Sequence, residues 1–276
     1  MDWNRSKTIF IGVFLILNIF LYSQYLDNYN GGQQLEVLGK TTEIESRLKE
    51  DNITYVSLPT NIEVTSYFLG TIKNFKSSEV PYFANQRTEI VDDNKLVVTM
   101  EKPVKLRETT TKDSYTEFLH SYVHEGASYV LWKVDEEKRQ AMFFQKINNR
   151  TLYYNVRGYV QIYWDEEGRV FAYEQTILEN HEKFENKKSI LPPIQVLQIL
   201  YGKNLLPPDS QVTRMNLGYS TLVQVTETQV FAPTWEVRVL TSDKTEVIHF
   251  VNAVDGKVVD IQNDLTESAT VEDTEE

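Results

Sequence analysis

The chain has 276 residues, 41% of them hydrophobic, with 16 Tyr and 13 Phe, enough apolar mass for a buried core and too much for a disordered polymer. A net charge of −12 argues against nucleic acid, whose phosphates need clustered cations. The absence of Cys removes disulfides, thiolate nucleophiles and Cys-ligated zinc together, and fits a bacterial surface better than a eukaryotic secretory route.

Arg5 and Lys7 precede an uncharged apolar run over residues 8–26. As a helix that run is about 28 Å long, close to the hydrocarbon core of a bilayer. A secretory signal also begins this way, but no small-residue cleavage site follows; Tyr22 and Tyr25 suit the outer interface instead, and Trp3 the inner one. The positive-inside rule then gives a cytoplasmic tail (1–7), one transmembrane helix (8–26) and an extracytoplasmic remainder at the cell membrane. Asn18 is the one amide deep in the run and the candidate transmembrane partner contact, since a side-chain amide there bonds either its own helix or a neighbouring one.

Residues 27–34 contain Gly31 and Gly32 and read as a flexible stalk. A weakly periodic amphipathic helix is expected over 35–49, then strands that include 96–100, then a helix capped by Asp113 and ending at Gly126. From there the period changes to two: strands are expected at 127–134, 141–147, 151–154, 159–164 and 169–177. Asp165-Glu166-Glu167-Gly168 is read as a hairpin turn in which Gly168 supplies a positive φ. The charged residues 181–188 read as a boundary. Pro192-Pro193 opens a helix over 194–201, and strands return at 222–225, 234–240, 245–251 and 257–261.

Helix followed by meander thus occurs twice, and Glu167-Gly168-Arg169-Val170 parallels Asp255-Gly256-Lys257-Val258. The expected fold class is α+β: one N-terminal transmembrane helix, then two similar subdomains (35–182 and 183–263), each an antiparallel meandering sheet with a packed helix. Residues 264–276 carry six acids and no cation, and read as a disordered acidic tail.

Chemistry is sparse. His120 and His124, with Glu117 or Glu125 nearby, have spacing for a metal on one helix face, but spacing is the only support, and a surface or partly buried pair is the reading adopted. No G-x-S-x-G, P-loop or G-x-G-x-x-G occurs, and Asp165, Glu166 and Glu167 mark a turn rather than a catalytic pair. Tyr129, Trp132, Phe143, Phe144, Tyr153, Tyr154, Tyr163, Trp164 and Tyr173 read as core in preference to a ligand platform. The sequence therefore predicts no enzyme activity, no cofactor and no metal, and leaves a wall-modifying enzyme as the remote alternative.

Several segments resemble one known family. They are MDWNRSKTIFIGVFLILNIFL at the start, the central FFQKINNRTLYYN and GYVQIYWDEEGRVFAYEQTILE, LGYS at 217–220, and APTWEVRV followed by HFVNAVDGKVVD. In this order, across residues 1 to about 261, the chain resembles the YycI (WalI) family. The resemblance implies a membrane-anchored regulator of the WalK (YycG) sensor histidine kinase in low-GC Gram-positive bacteria. It implies partnership with the related protein YycH, membrane-helix contacts with both, a possible homo- or heterodimer, and no catalysis. Pro233-Thr234-Trp235 and Val251-Asn252-Ala253 are also distantly similar to PepSY-type modules, which leaves an extracytoplasmic binding, chaperone or protease-inhibitor module as an alternative.

Overall fold

A computed structural model describes residues 3–31, 40–60, 65–78, 80, 83–106, 112–224 and 227–260. The chain divides into two units, 1–51 and 52–276. The expected acidic tail lies outside the described residues.

The first unit holds two helices, α1 (Trp3–Gly31) and α2 (Lys40–Glu50). The α1 helix covers the expected span and continues through residues 27–31, the first part of the expected stalk; residues 32–34 lie outside the described residues. Polar residues extend a helix readily once it is nucleated, because each added residue closes one more backbone bond. Among the described residues no helix is long and apolar enough to cross a membrane. The described side chains of the apolar run cover residues 10–23 only. Of the expected helix over 35–49, residues 35–39 lie outside the described residues and the rest is α2, with Ile44 and Leu48 buried one turn apart.

The second unit is mostly sheet. In chain order it contains β1 (Thr54–Tyr55), β2 (Phe68–Ile72), β3 (Gln86–Val91), β4 (Lys95–Lys105), α3 (Lys112–Tyr122) and a short 3-10 turn (Gly126–Ser128). Next come β5 (Tyr129–Asp135), β6 (Gln140–Ile147), β7 (Arg150–Thr151), β8 (Tyr159–Trp164), β9 (Arg169–Thr176) and β10 (Leu178–Lys183). The unit closes with α4 (Pro193–Gly202), β11 (Gln211–Gln224), β12 (Thr228–Leu240), β13 (Glu246–Asn252) and β14 (Val258–Val259). The described architecture is α+β, two seven-stranded sheets with few helices.

One sheet runs β3-β4-β9-β8-β6-β5, with β7 off β6, and is antiparallel throughout. Strict alternation builds its core: Leu96, Val98 and Met100 on β4, and Val160, Ile162 and Trp164 on β8, share one buried face. On β9 the parity changes between Val170 and Tyr173. Trp164 pairs with Val170 and Tyr163 with Ala172, so Phe171 is an extra residue, a bulge that turns its ring outward. The α3 helix covers this face with Tyr115, Phe118 and Leu119.

The other sheet runs β1-β11-β12-β13-β14, with β2 pairing both β12 and β10. Its β1–β11 pair is parallel and the rest antiparallel. Because β1 and β2 precede the first sheet in sequence and β10–β14 follow it, the first sheet is inserted within the second. The charged residues 181–183, read as a break, are instead strand: they end β10, whose only strand partner among the described residues is β2. Charge on such an edge strand discourages pairing with other chains, so polarity there disguises a strand.

Candidate functional site

Along α1, Ile11, Phe14, Leu15, Asn18, Ile19 and Tyr22 line one shallow groove. Steps of three and four residues put them on a single helical face. The Asn18 Nδ2 donates to the Phe14 carbonyl at 2.9 Å, one turn back. That bond satisfies a donor within the helix; Oδ1 retains its lone pairs and has no partner among the described residues. The face is therefore an apolar strip with one hydrogen-bond acceptor at its middle, an arrangement suited to another helix and without reactive chemistry.

The expected histidine pair is not on one helix. Only His120 lies in α3, which ends at Tyr122, whereas His124 follows in the turn. The chain bends there because a Cβ at Gly126 would lie 1.9 Å from the Leu119 carbonyl oxygen, so glycine is needed where the backbone folds back. His124 Nε2 lies 3.4 Å from Glu125 Oε1, and burial holds its pKa below the usual value, opposed by Glu125. Among the described residues no three His, Asp or Glu side chains converge as a metal site.

The aromatic residues are packed. Phe143, Phe144, Tyr153 and Tyr173 are fully buried, and Tyr129 is buried with its hydroxyl donating to the Thr176 carbonyl at 2.7 Å. Trp132, Tyr153, Tyr154 and Phe250 form a cluster between the two sheets, with Trp132 Nε1 donating to the Tyr154 hydroxyl at 3.0 Å. Asp165 is a turn residue: its Oδ1 accepts from the Glu167 and Arg169 amides at 3.0 and 2.9 Å. Those bonds, led by the Arg169 amide, hold its pKa below the usual carboxylate range.

Beneath the inter-sheet aromatics is a pair that sequence reasoning missed. Glu236, 1% exposed, accepts from Arg238 Nε at 2.5 Å, and Arg238 Cζ lies 4.7 Å from the centre of the Trp132 ring. Tyr153 donates to Glu236 Oε2 at 3.4 Å, and burial, then the Glu236 charge, pushes its pKa well up. The available signal was Trp235-Glu236-Val237-Arg238-Val239, charges alternating inside a strand too apolar to lie at an edge. Arg238 also reaches Glu246 Oε2 at 3.3 Å, so one guanidinium joins a buried carboxylate to an exposed one. The Thr234 and Asn252 positions are cross-strand partners, and the Ala253 amide donates to the Pro233 carbonyl at 2.8 Å. These two segments of the suspected PepSY-type likeness thus form one continuous piece of sheet.

The family model "YycI protein" matches residues 32–254. No curated protein matches the sequence. Among solved structures, an uncharacterized protein from Eubacterium rectale aligns at 12% identity over 77% of this chain and 92% of its own, with a TM-score of 0.45. YycH from Bacillus subtilis aligns at 11% identity over 76% of this chain, which spans only 57% of the YycH chain, with a TM-score of 0.37. The family match covers most of the polypeptide, and the chain belongs to the YycI family.

Proposed function

We propose that this protein is a membrane-anchored, non-catalytic regulator of the WalK (YycG) sensor kinase that acts with a YycH-type partner. Family membership supports the pathway. The observation that carries the mechanism is α1: eleven large apolar side chains between Phe10 and Tyr22 stand exposed on all its sides. Leaving each in water costs about 1.5–3 kcal/mol relative to burial, on the order of 20 kcal/mol together. Few folds have that much stability to lose, since net values are about 5–15 kcal/mol. A helix apolar all round needs an apolar surround, and lipid is one that matches its length.

With residues 1–7 inside and the sheets outside, an inert chain alters a cytoplasmic reaction only through a neighbour that itself crosses the membrane. The grooved face of α1 packs against kinase and YycH-type helices and binds one of two kinase states better, and kinase output shifts by that difference in binding energy. The sheet unit adds contacts with the YycH-type partner outside. Recovery of kinase and YycH-type protein with the full chain from native membranes tests this: both should co-purify. Asn18→Leu, which removes the amide at the groove's middle, should weaken kinase recovery by an amount equivalent to about 1 kcal/mol. Purification of the intact chain free of both proteins would refute the assignment.

A further inference from the structure

A cavity of about 460 Å³ opens where the β6–β7 hairpin of one sheet meets β10 and β11 of the other. Its lining includes Arg150, Lys183 and Lys187 and the hydroxyls of Thr65, Ser66 and Tyr219, with no acidic side chain among the described residues. In a chain of net charge −12 this is a local reversal of sign. We propose that this cavity binds a phosphate-type oxyanion.

Local sequence builds the site. Asn148 and Asn149 both have positive φ, 50° and 62°, and form the two-residue loop between β6 and β7. That is the geometry of a type I′ turn, which asparagine tolerates. The turn delivers Arg150, whose Nη1 donates to Thr65 Oγ1 at 2.8 Å and reaches the Tyr219 hydroxyl at 3.5 Å. Thr65 and Tyr219 are themselves buried and lie 3.1 Å apart through their oxygens. The guanidinium is thus pinned at one nitrogen by neutral groups, and among the described residues no carboxylate pairs with it. Lys183 projects from β10, and Lys187 sits one residue before Lys188, whose backbone pairs with Thr65.

Three cations around one cavity repel one another unless an anion joins them. A guanidinium fork with a free edge, two flexible ammonium groups and a ring of hydroxyl and amide donors match the three or four oxygens of a phosphate. The same chemistry serves a free phosphate monoester and the phosphodiester of a polymer or lipid headgroup. The site is independent of the helix contacts and of any effect on the kinase.

Titration calorimetry on the full-length protein in neutral detergent, at low salt, decides the matter with two probes, inorganic phosphate and dimethyl phosphate. Saturable binding of at least one probe is expected. Preference for phosphate assigns a free monoester, and preference for dimethyl phosphate assigns a diester. Lys187→Glu, at an exposed position that makes no bond the fold needs, should weaken binding roughly tenfold or more, as should Arg150→Ala. Lys138→Glu, exposed in the β5–β6 turn at the opposite end of β6 from Asn148 and Asn149, should leave affinity unchanged. Absence of heat from both probes, or equal weakening by Lys138→Glu and Lys187→Glu in folded protein, would overturn the assignment.

Discussion

Glu236 shows how much one side chain can carry. It is buried with Arg238 as its ion partner, and Arg238 lies against Trp132, so removal of the carboxylate leaves this cation only the exposed Glu246 at 3.3 Å. Glu236→Ala should cost about 3–5 kcal/mol in denaturant unfolding, whereas Glu166→Ala, which breaks the exposed pair with Arg139, should cost less than about 1 kcal/mol. Similar losses for the two would contradict the ranking. His249 on β13 gives a pH dependence. Burial holds its folded pKa below the ordinary value near 6.5, opposed by a hydrogen bond to the Leu205 backbone. The unfolded chain therefore takes up that proton first as pH falls. The stabilising contribution of His249 is complete above pH 6.5 and declines as pH drops from there toward the lower folded-state value. Unfolding midpoints measured across that window should fall, and less steeply in His249→Gln; identical slopes would remove His249 as a source.

At the scale of elements, close approach of backbones fixes how the sheets meet. A Cβ at Gly218 would lie 2.4 Å from both the Thr151 carbonyl oxygen and the Tyr153 ring. The LGYS segment thus needs its glycine where β11 passes under the chain leaving β7. Gly218→Ala should destabilise by about 1–3 kcal/mol, read as a lower denaturation midpoint; an unchanged midpoint would mean the strands separate freely there. Local signals were legible in the sequence. The turn at Gly168 has φ +71° between β8 and β9, its counterpart Gly256 has φ +74°, and Pro193 opens α4. Long-range facts were not. The polar edge strand β10 and the short β2 owe their pairing to partners over a hundred residues apart in sequence, and no periodicity announces that one sheet is inserted in another. Asp113 is in the first turn of α3 instead of capping it, a shift of a kind that helix ends commonly show. At the candidate site, the apolar face around Asn18 was readable because it is one helix. The cavity around Arg150 was invisible because its residues come from four separate stretches of chain.

At the scale of the whole molecule, an N-terminal unit of two helices and a β-rich unit carry different surfaces. The body has packed aromatics, a buried ion pair and, among the described residues, no cluster of three His, Asp or Glu side chains that could hold a metal. The helix has an apolar surface that water cannot satisfy. Under the proposed function, regulation depends on which state of a spanning partner the chain binds more tightly, so the proposal requires the identity of the α1 face and not its hydrophobicity alone. The most direct measurement is kinase autophosphorylation in vesicles holding WalK and a YycH-type protein, with either the intact chain or one whose residues 8–26 are replaced by polyleucine of equal length. The expected result is a shift in phosphorylation with the intact chain that the polyleucine form, equally inserted, fails to produce. Equal shifts from both would contradict control through the helix face.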